Sequence, residues 1–132
     1  MSGALVLDSE GLAKAVQRDQ ELQEWLTAAR DADLPVITSA AVLVEVIHPR
    51  INDAALRWTL SRLRVEPVTQ AIAQSAAALL REAGLHGHTY AIDAVLCATA
   101  LAQPGRVTVL TSDVEDLTLL TTGHPRVGVE KV

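Results

Sequence analysis

Five short runs of apolar, often β-branched residues recur along the chain, and a stretch of helical spacing separates each from the next. RVTVLT (106–111) is the clearest: β-branched, apolar and bounded by turns. ALVL (4–7), PVIT (35–38), RVEPV (64–68) and VGVEKV (127–132) are shorter versions, the last a possible edge strand. Apolar runs without alternation suit strands covered on both faces, and parallel neighbours need long crossovers. The alternation therefore restricts the chain to the α/β class. We expect a three-layer α/β/α sandwich around a mostly parallel central sheet. A chain of 132 residues suffices for one such core, so a single domain over 1–132 is expected.

The intervening segments supply the helices. A short one fits 10–17, and a longer one fits 19–32, with Leu22, Trp25, Leu26 and Ala29 on one face. Thr38 or Ser39 can cap a helix running to His48, where Pro49 stops it. Asn52 or Asp53 opens another, with Leu56, Leu60 and Leu63 aligned. Thr69 caps a helix to Ala83 that Gly84 closes. An apolar helix is expected over 90–103, ended by Pro104 and Gly105, and a short one from Asp113 to Thr121. The HGHTY segment (86–90) reads as a polar loop.

Composition narrows the function. There is no Phe, one Tyr and two Trp, so the core is aliphatic and stacking platforms for nucleobases are not expected. Trp25 and Trp58 fall on apolar helical faces, as core or as interface anchors. The one cysteine, Cys97, excludes an internal disulfide and a cysteine-based zinc cluster; it reads as a small core residue. No basic-then-apolar leader opens the chain, and no uncharged apolar run reaches the ~18 residues of a membrane helix. A cytoplasmic protein without a membrane segment is expected. The net charge of −5 argues against general affinity for polyanions. Residues 48–65 differ, with Arg50, Arg57, Arg62 and Arg64 against Asp53 alone.

Four acids stand out. Asp8 directly follows one strand-like run and Asp113 follows another after Ser112, where either could cap the next helix. In parallel sheets, that same position, beyond the strand's carboxyl end, is also where sites form. Glu45 lies between Val44 and Val46, and Asp93 sits in an otherwise uncharged helix. Either could be a helix edge that reaches water. A bare carboxylate in an apolar interior is otherwise very costly. If the four converge, like charges raise their pKa values, and a divalent cation relieves the repulsion. Carboxylate oxygens suit Mg²⁺ or Mn²⁺, and hydrolysis of a phosphodiester follows as the reaction class.

The ordered segments LVLDSEGL, TSAAVLVEVI, YAIDAVLCATAL and VTVLTSDVEDL resemble the PIN domain, and within it the VapC-type toxin ribonucleases of toxin–antitoxin pairs. The resemblance spans nearly the whole chain. It implies a PIN-like fold and a Mg²⁺- or Mn²⁺-dependent endoribonuclease leaving a 5′-phosphate and a 3′-hydroxyl. It implies Asp8 and Asp93 as direct metal ligands, with Glu45, Asp113 and Asp116 supporting, through water in some cases. It further implies an RNA substrate, a VapB-type antitoxin partner and a homodimer.

Other features have competing readings. The four arginines either hold RNA phosphates or form a solvated face. His86 and His88 precede Asp93, but two histidines without a cysteine make a poor zinc site. His48 reads as a helix end favoured by the dipole, and Ser112 as a turn hydroxyl or a partner for a pocket carboxylate. Two other function classes compete with the ribonuclease. One is a catalytically inactive PIN-like protein-binding module. The other is a flavodoxin-like phosphoacceptor, which needs a late lysine where only Lys131 is available.

Overall fold

The computed structural model describes residues 3–132. Five strands form one parallel sheet: β1 (Gly3–Leu7), β2 (Val36–Ser39), β3 (Arg64–Glu66), β4 (Arg106–Thr111) and β5 (Val127–Lys131). The helices are α1 (Ser9–Val16), α2 (Gln20–Asp31), α3 (Leu43–Val46), α4 (Asp53–Ser61), α5 (Gln70–Ala83), α6 (Gly87–Leu101) and α7 (Val114–Leu120), with a 3₁₀ turn over Ala40–Val42. None is long and apolar enough to cross a membrane.

The strand order is β3-β2-β1-β4-β5. The chain winds outward from β1 to β3, then returns across the sheet to β4 and β5. Right-handed crossovers then put α1–α4 on one face and α5–α7 on the other. The packing agrees, since α1 meets α2, α3 and α4, while α5, α6 and α7 meet one another. The expected three layers are present, and the sheet is parallel throughout. The order also differs from the flavodoxin-like 2-1-3-4-5, so the phosphoacceptor reading fails on topology.

Coverage on both faces explains why the strands read as unbroken apolar runs. Every residue of β1 is buried, and Val6, Leu7, Ile37, Val109 and Leu110 are fully enclosed. Leu12, Leu22, Leu96 and Leu117 meet them from the helices. The core is aliphatic, as the composition requires. The caps follow the sequence closely. Asp19, Asn52 and Thr69 each accept a hydrogen bond from a backbone N–H three residues on. Gly84 ends α5 in the left-handed conformation, at φ 68°.

Four expectations need correction. The helix expected to reach His48 ends at Val46, because Ile47 is already extended ahead of the His48–Pro49 pair. HGHTY is not a loop: Gly87–Tyr90 form the first turn of α6, which kinks at Tyr90 (φ −115°, ψ 16°). The strand expected over 64–68 stops at Glu66, ahead of Pro67, which has no N–H to donate. Trp58 is 45% exposed and not core; the Arg18 and Arg62 guanidiniums lie 4.6 and 4.9 Å from its ring centre. Trp25 is partly buried against the core.

The contact that seats the first helix is a close one. A Cβ on Gly11 would lie 3.1 Å from the Leu110 carbonyl oxygen and 3.5 Å from an Asp8 carboxylate oxygen. Glycine therefore lets α1 rest directly on the end of β4. Gly11→Val is expected to destabilise the fold by about 1–3 kcal/mol through overpacking. Urea unfolding checks this, and an unchanged midpoint would contradict it.

Candidate metal centre

The reversal of winding between β1 and β4 leaves a crevice beyond their carboxyl ends. Leu7 pairs with Leu110, so Asp8 and Asp113 emerge side by side from adjacent strands. Asp93 on α6, Asp116 on α7 and Glu45 on α3 approach the same place from the helical layers.

Asp8 is 6% exposed and caps α1, accepting a 2.8 Å hydrogen bond from the Gly11 N–H. The capping reading is therefore correct, and it does not remove Asp8 from the site. Burial pushes its pKa up, against the pull of the Gly11 amide and the Thr111 hydroxyl. Asp113 occupies the cap position of α7 but makes no side-chain capping bond. Its own N–H donates to Thr111 Oγ1 at 2.8 Å instead. Its carboxylate is thus left free to face other acids.

Asp93, Asp113 and Asp116 each offer one carboxylate oxygen, and these atoms lie within 4.8 Å of one another. The half-buried Asp93 feels the whole group. Its pKa is pushed up to about 6 by burial, then by the charges of Asp113, Glu45, Asp8 and Asp116. Asp116 is also raised, chiefly by a hydrogen bond with the Asp113 side chain. Repulsion of this kind is relieved either by a proton on one carboxyl or by a cation among them.

Residues 5–115 match the family model for the PIN domain. The chain belongs to the PIN domain family. No curated protein matches it, but solved structures do. It is similar to VapBC2 from Rickettsia felis, a structure bound to a promoter DNA fragment (TM-score 0.69, 16% identity, 98% of each chain covered). It is also similar to a toxin–antitoxin complex from Klebsiella pneumoniae (TM-score 0.67, 24% identity, 94% and 95% covered). FitAB bound to the IR36 DNA fragment resembles it too (TM-score 0.61, 20% identity, 96% and 94% covered). At these identities the likeness is one of fold.

Within this PIN domain the five acids stand in one electrostatic field, at differing depths. The sequence expectation ranks Asp8 and Asp93 as direct ligands and Asp116 last. The geometry draws Asp93, Asp113 and Asp116 closest together and leaves Asp8 deeper, with one oxygen committed to the cap. Glu45 is exposed at the rim, as is Val44, at 78%. Its apolar neighbours therefore do not enclose it; Val46 alone among the flanking valines is buried. Thr111 was not among the sequence candidates. It is fully buried, and its hydroxyl links the Asp113 backbone to the Asp8 carboxylate. Its only signal is position, as the last residue of β4. Ser112 beside it is exposed, which favours the turn reading.

The arginines separate into different surroundings. Arg64 is held by Glu66 at 2.8 Å and by Gln103 at 2.9 Å. Arg62 stacks on Trp58. Arg57 is exposed on α4, and Arg50 lines a groove that also contains Glu45. Arg50, Arg57 and Arg64, seven residues apart in turn, do not share a helix, since α4 contains only Arg57. His86 and His88 are exposed and stand outside the acidic group. Cys97, one helical turn from Asp93, is fully buried, and its thiol is pushed up to about 12 by burial and then by Asp93.

Stability in EDTA should report this crowding. The folded protein holds the Asp93 proton more tightly than the ordinary value of 3.8 allows. That contribution is present below 3.8 and is lost as pH rises through about 6. The raised values of Asp8 and Asp116 act in the same direction. Melting temperature in EDTA is therefore expected to fall over this window, and Asp93→Asn to flatten the fall. At neutral pH, Mn²⁺ should raise the wild-type melting temperature and leave Asp93→Asn nearly unmoved. An identical response in both proteins would contradict the geometry.

Proposed function

We propose that this PIN domain, over residues 1–132, is the toxin of a toxin–antitoxin pair, a VapC-type endoribonuclease hydrolysing RNA with Mg²⁺ or Mn²⁺. One observation carries the reading: the carboxylates of Asp93, Asp113 and Asp116 group within 4.8 Å, in the field of Asp8 and Glu45. The donor set fits a hard cation. It contains only carboxylate oxygens, and the nearby thiol stays protonated. Mg²⁺ or Mn²⁺, when bound, supplies electrostatic stabilisation at a phosphoryl oxygen and lowers the pKa of water.

The remaining work falls to the chain. Asp93, Asp113 and Asp116 would hold the ion, and Asp8 would bound the pocket from below. Glu45 lies at the mouth, where it can orient water or accept a proton. Cleavage would leave a 5′-phosphate and a 3′-hydroxyl, and the site of action would be the cytoplasm. The structural neighbours are toxin–antitoxin complexes, which supports a VapB-type antitoxin as partner; a homodimer is proposed from the family resemblance. Retention of all five acids argues against an inactive protein-binding module.

Purified protein is expected to cut a structured RNA in Mg²⁺ or Mn²⁺ and to stop in EDTA. Asp93→Asn should lower the rate by roughly 10²–10³-fold through lost electrostatic stabilisation. Mapping 5′ ends of cellular RNA after brief induction reads the same effect in vivo. Cutting that persists in EDTA and in Asp93→Asn would overturn the proposal.

A further inference from the structure

A groove of about 600 Å³ runs between α1, α3 and the start of α4. It falls in the size range of sites that hold a small ligand or a single monomer unit. Its inner end adjoins the acidic centre at two points. Ser9 lines it and directly follows Asp8, and Glu45 belongs both to its wall and to the field that raises Asp93. Val46 and Ile51 provide apolar wall. Gln17 is exposed and lines the same groove. His48 and Arg50 lie on the loop after α3. The Arg50 N–H donates to His48 Nδ1 at 3.1 Å, which fixes the loop and leaves Nε2 of the neutral ring as a donor.

We propose that this groove seats the nucleotide flanking the scissile phosphate, with its base against Val46 and Ile51 and its outer phosphate against Arg50 and His48. The inference rests on the ribonuclease reading and adds the substrate contacts. Charge supports the polarity. Glu10 and Glu45 in the lining repel a phosphate unless a cation is present, whereas Arg50 and His48 offer a guanidinium and an imidazole N–H. An amide at Gln17 can both donate to and accept from a base edge, whereas the Asn52 amide oxygen is already held by the Ala55 N–H, so base choice falls to Gln17. No tryptophan or tyrosine lines the groove, so the base inserts edge-on between aliphatic walls and is not stacked. That arrangement requires an unpaired nucleotide, as in a loop. Of the four arginines in the basic segment, this assigns the phosphate contact to Arg50. Arg62 and Arg64 are already engaged elsewhere.

The test separates binding from cutting. With the acids intact and Ca²⁺ in place of Mg²⁺, anisotropy reads affinity for short single-stranded RNA of randomised sequence. Arg50→Gln is expected to weaken binding roughly tenfold, the loss of one charge-assisted hydrogen bond. Gln17→Leu should keep overall affinity and change which base is enriched beside the cut. In the active protein, Arg50→Gln should raise KM and spare kcat. Arg81→Gln, an exposed change on α5, is the control and should alter nothing. Unchanged affinity in Arg50→Gln together with unchanged base preference in Gln17→Leu would overturn the proposal. So would loss of antitoxin binding in these variants while RNA binding stays intact, since the groove would then be a protein seat. If the wild-type protein cuts no RNA, the ribonuclease reading fails by itself, and the binding arm still reads the groove.

Discussion

β1 and β4 lie side by side in parallel although almost a hundred residues separate them. That pairing divides the winding into two directions, and the division opens a crevice at the strands' carboxyl ends. Helices from both layers must then pass close to one spot. α1 rests on the end of β4 through Gly11. Thr38 donates its hydroxyl to the Leu7 carbonyl at 2.7 Å, which ties β2 into the same rim. The position of the acids follows from the topology. Local preference alone would have left Asp8 and Asp113 as ordinary caps.

The two strand-end acids show how one position can serve two demands. Asp8 satisfies a helix N-terminus and still contributes charge to Asp93. Asp113 stands at an equivalent place, yet its backbone is held by Thr111 and its carboxylate is left for other acids. The crowding shows in the raised pKa values of Asp93 and Asp116. Carboxylates held close against their own repulsion are the usual mark of a functional centre.

Most of the fold was legible because each element carried its own signal. β-branched runs marked the strands, and Asn52, Thr69 and Gly84 marked helix ends with residues whose chemistry suits those ends. What was not legible depended on tertiary contact. Trp58 sits on an apolar-looking stripe, but the guanidiniums of Arg18 and Arg62 lie against its ring at the surface. HGHTY looked polar because the first turn of α6 faces water. That Asp8, Glu45, Asp93, Asp113 and Asp116 approach one another was legible from their order along the chain, but their spacing within the group was not. Whether Asp116 lies nearer Asp93 than Asp8 does depends on the angle at which α7 leaves β4. Thr111 was invisible because a threonine ending a strand looks the same whether or not it holds a carboxylate.

The buried thiol of Cys97 has a consequence for which ions the pocket can recruit. Zinc and copper outbind magnesium and manganese at nitrogen, oxygen and sulfur sites alike, and thiolate or imidazole ligands widen the gap. Here the sulfur one turn from Asp93 holds its proton to about 12, and the histidines stand outside the acidic group. A soft metal meeting this pocket finds oxygen alone. The extra preference that a thiolate or imidazole would give those metals is therefore missing here, so metal availability would weigh more in what these carboxylates hold.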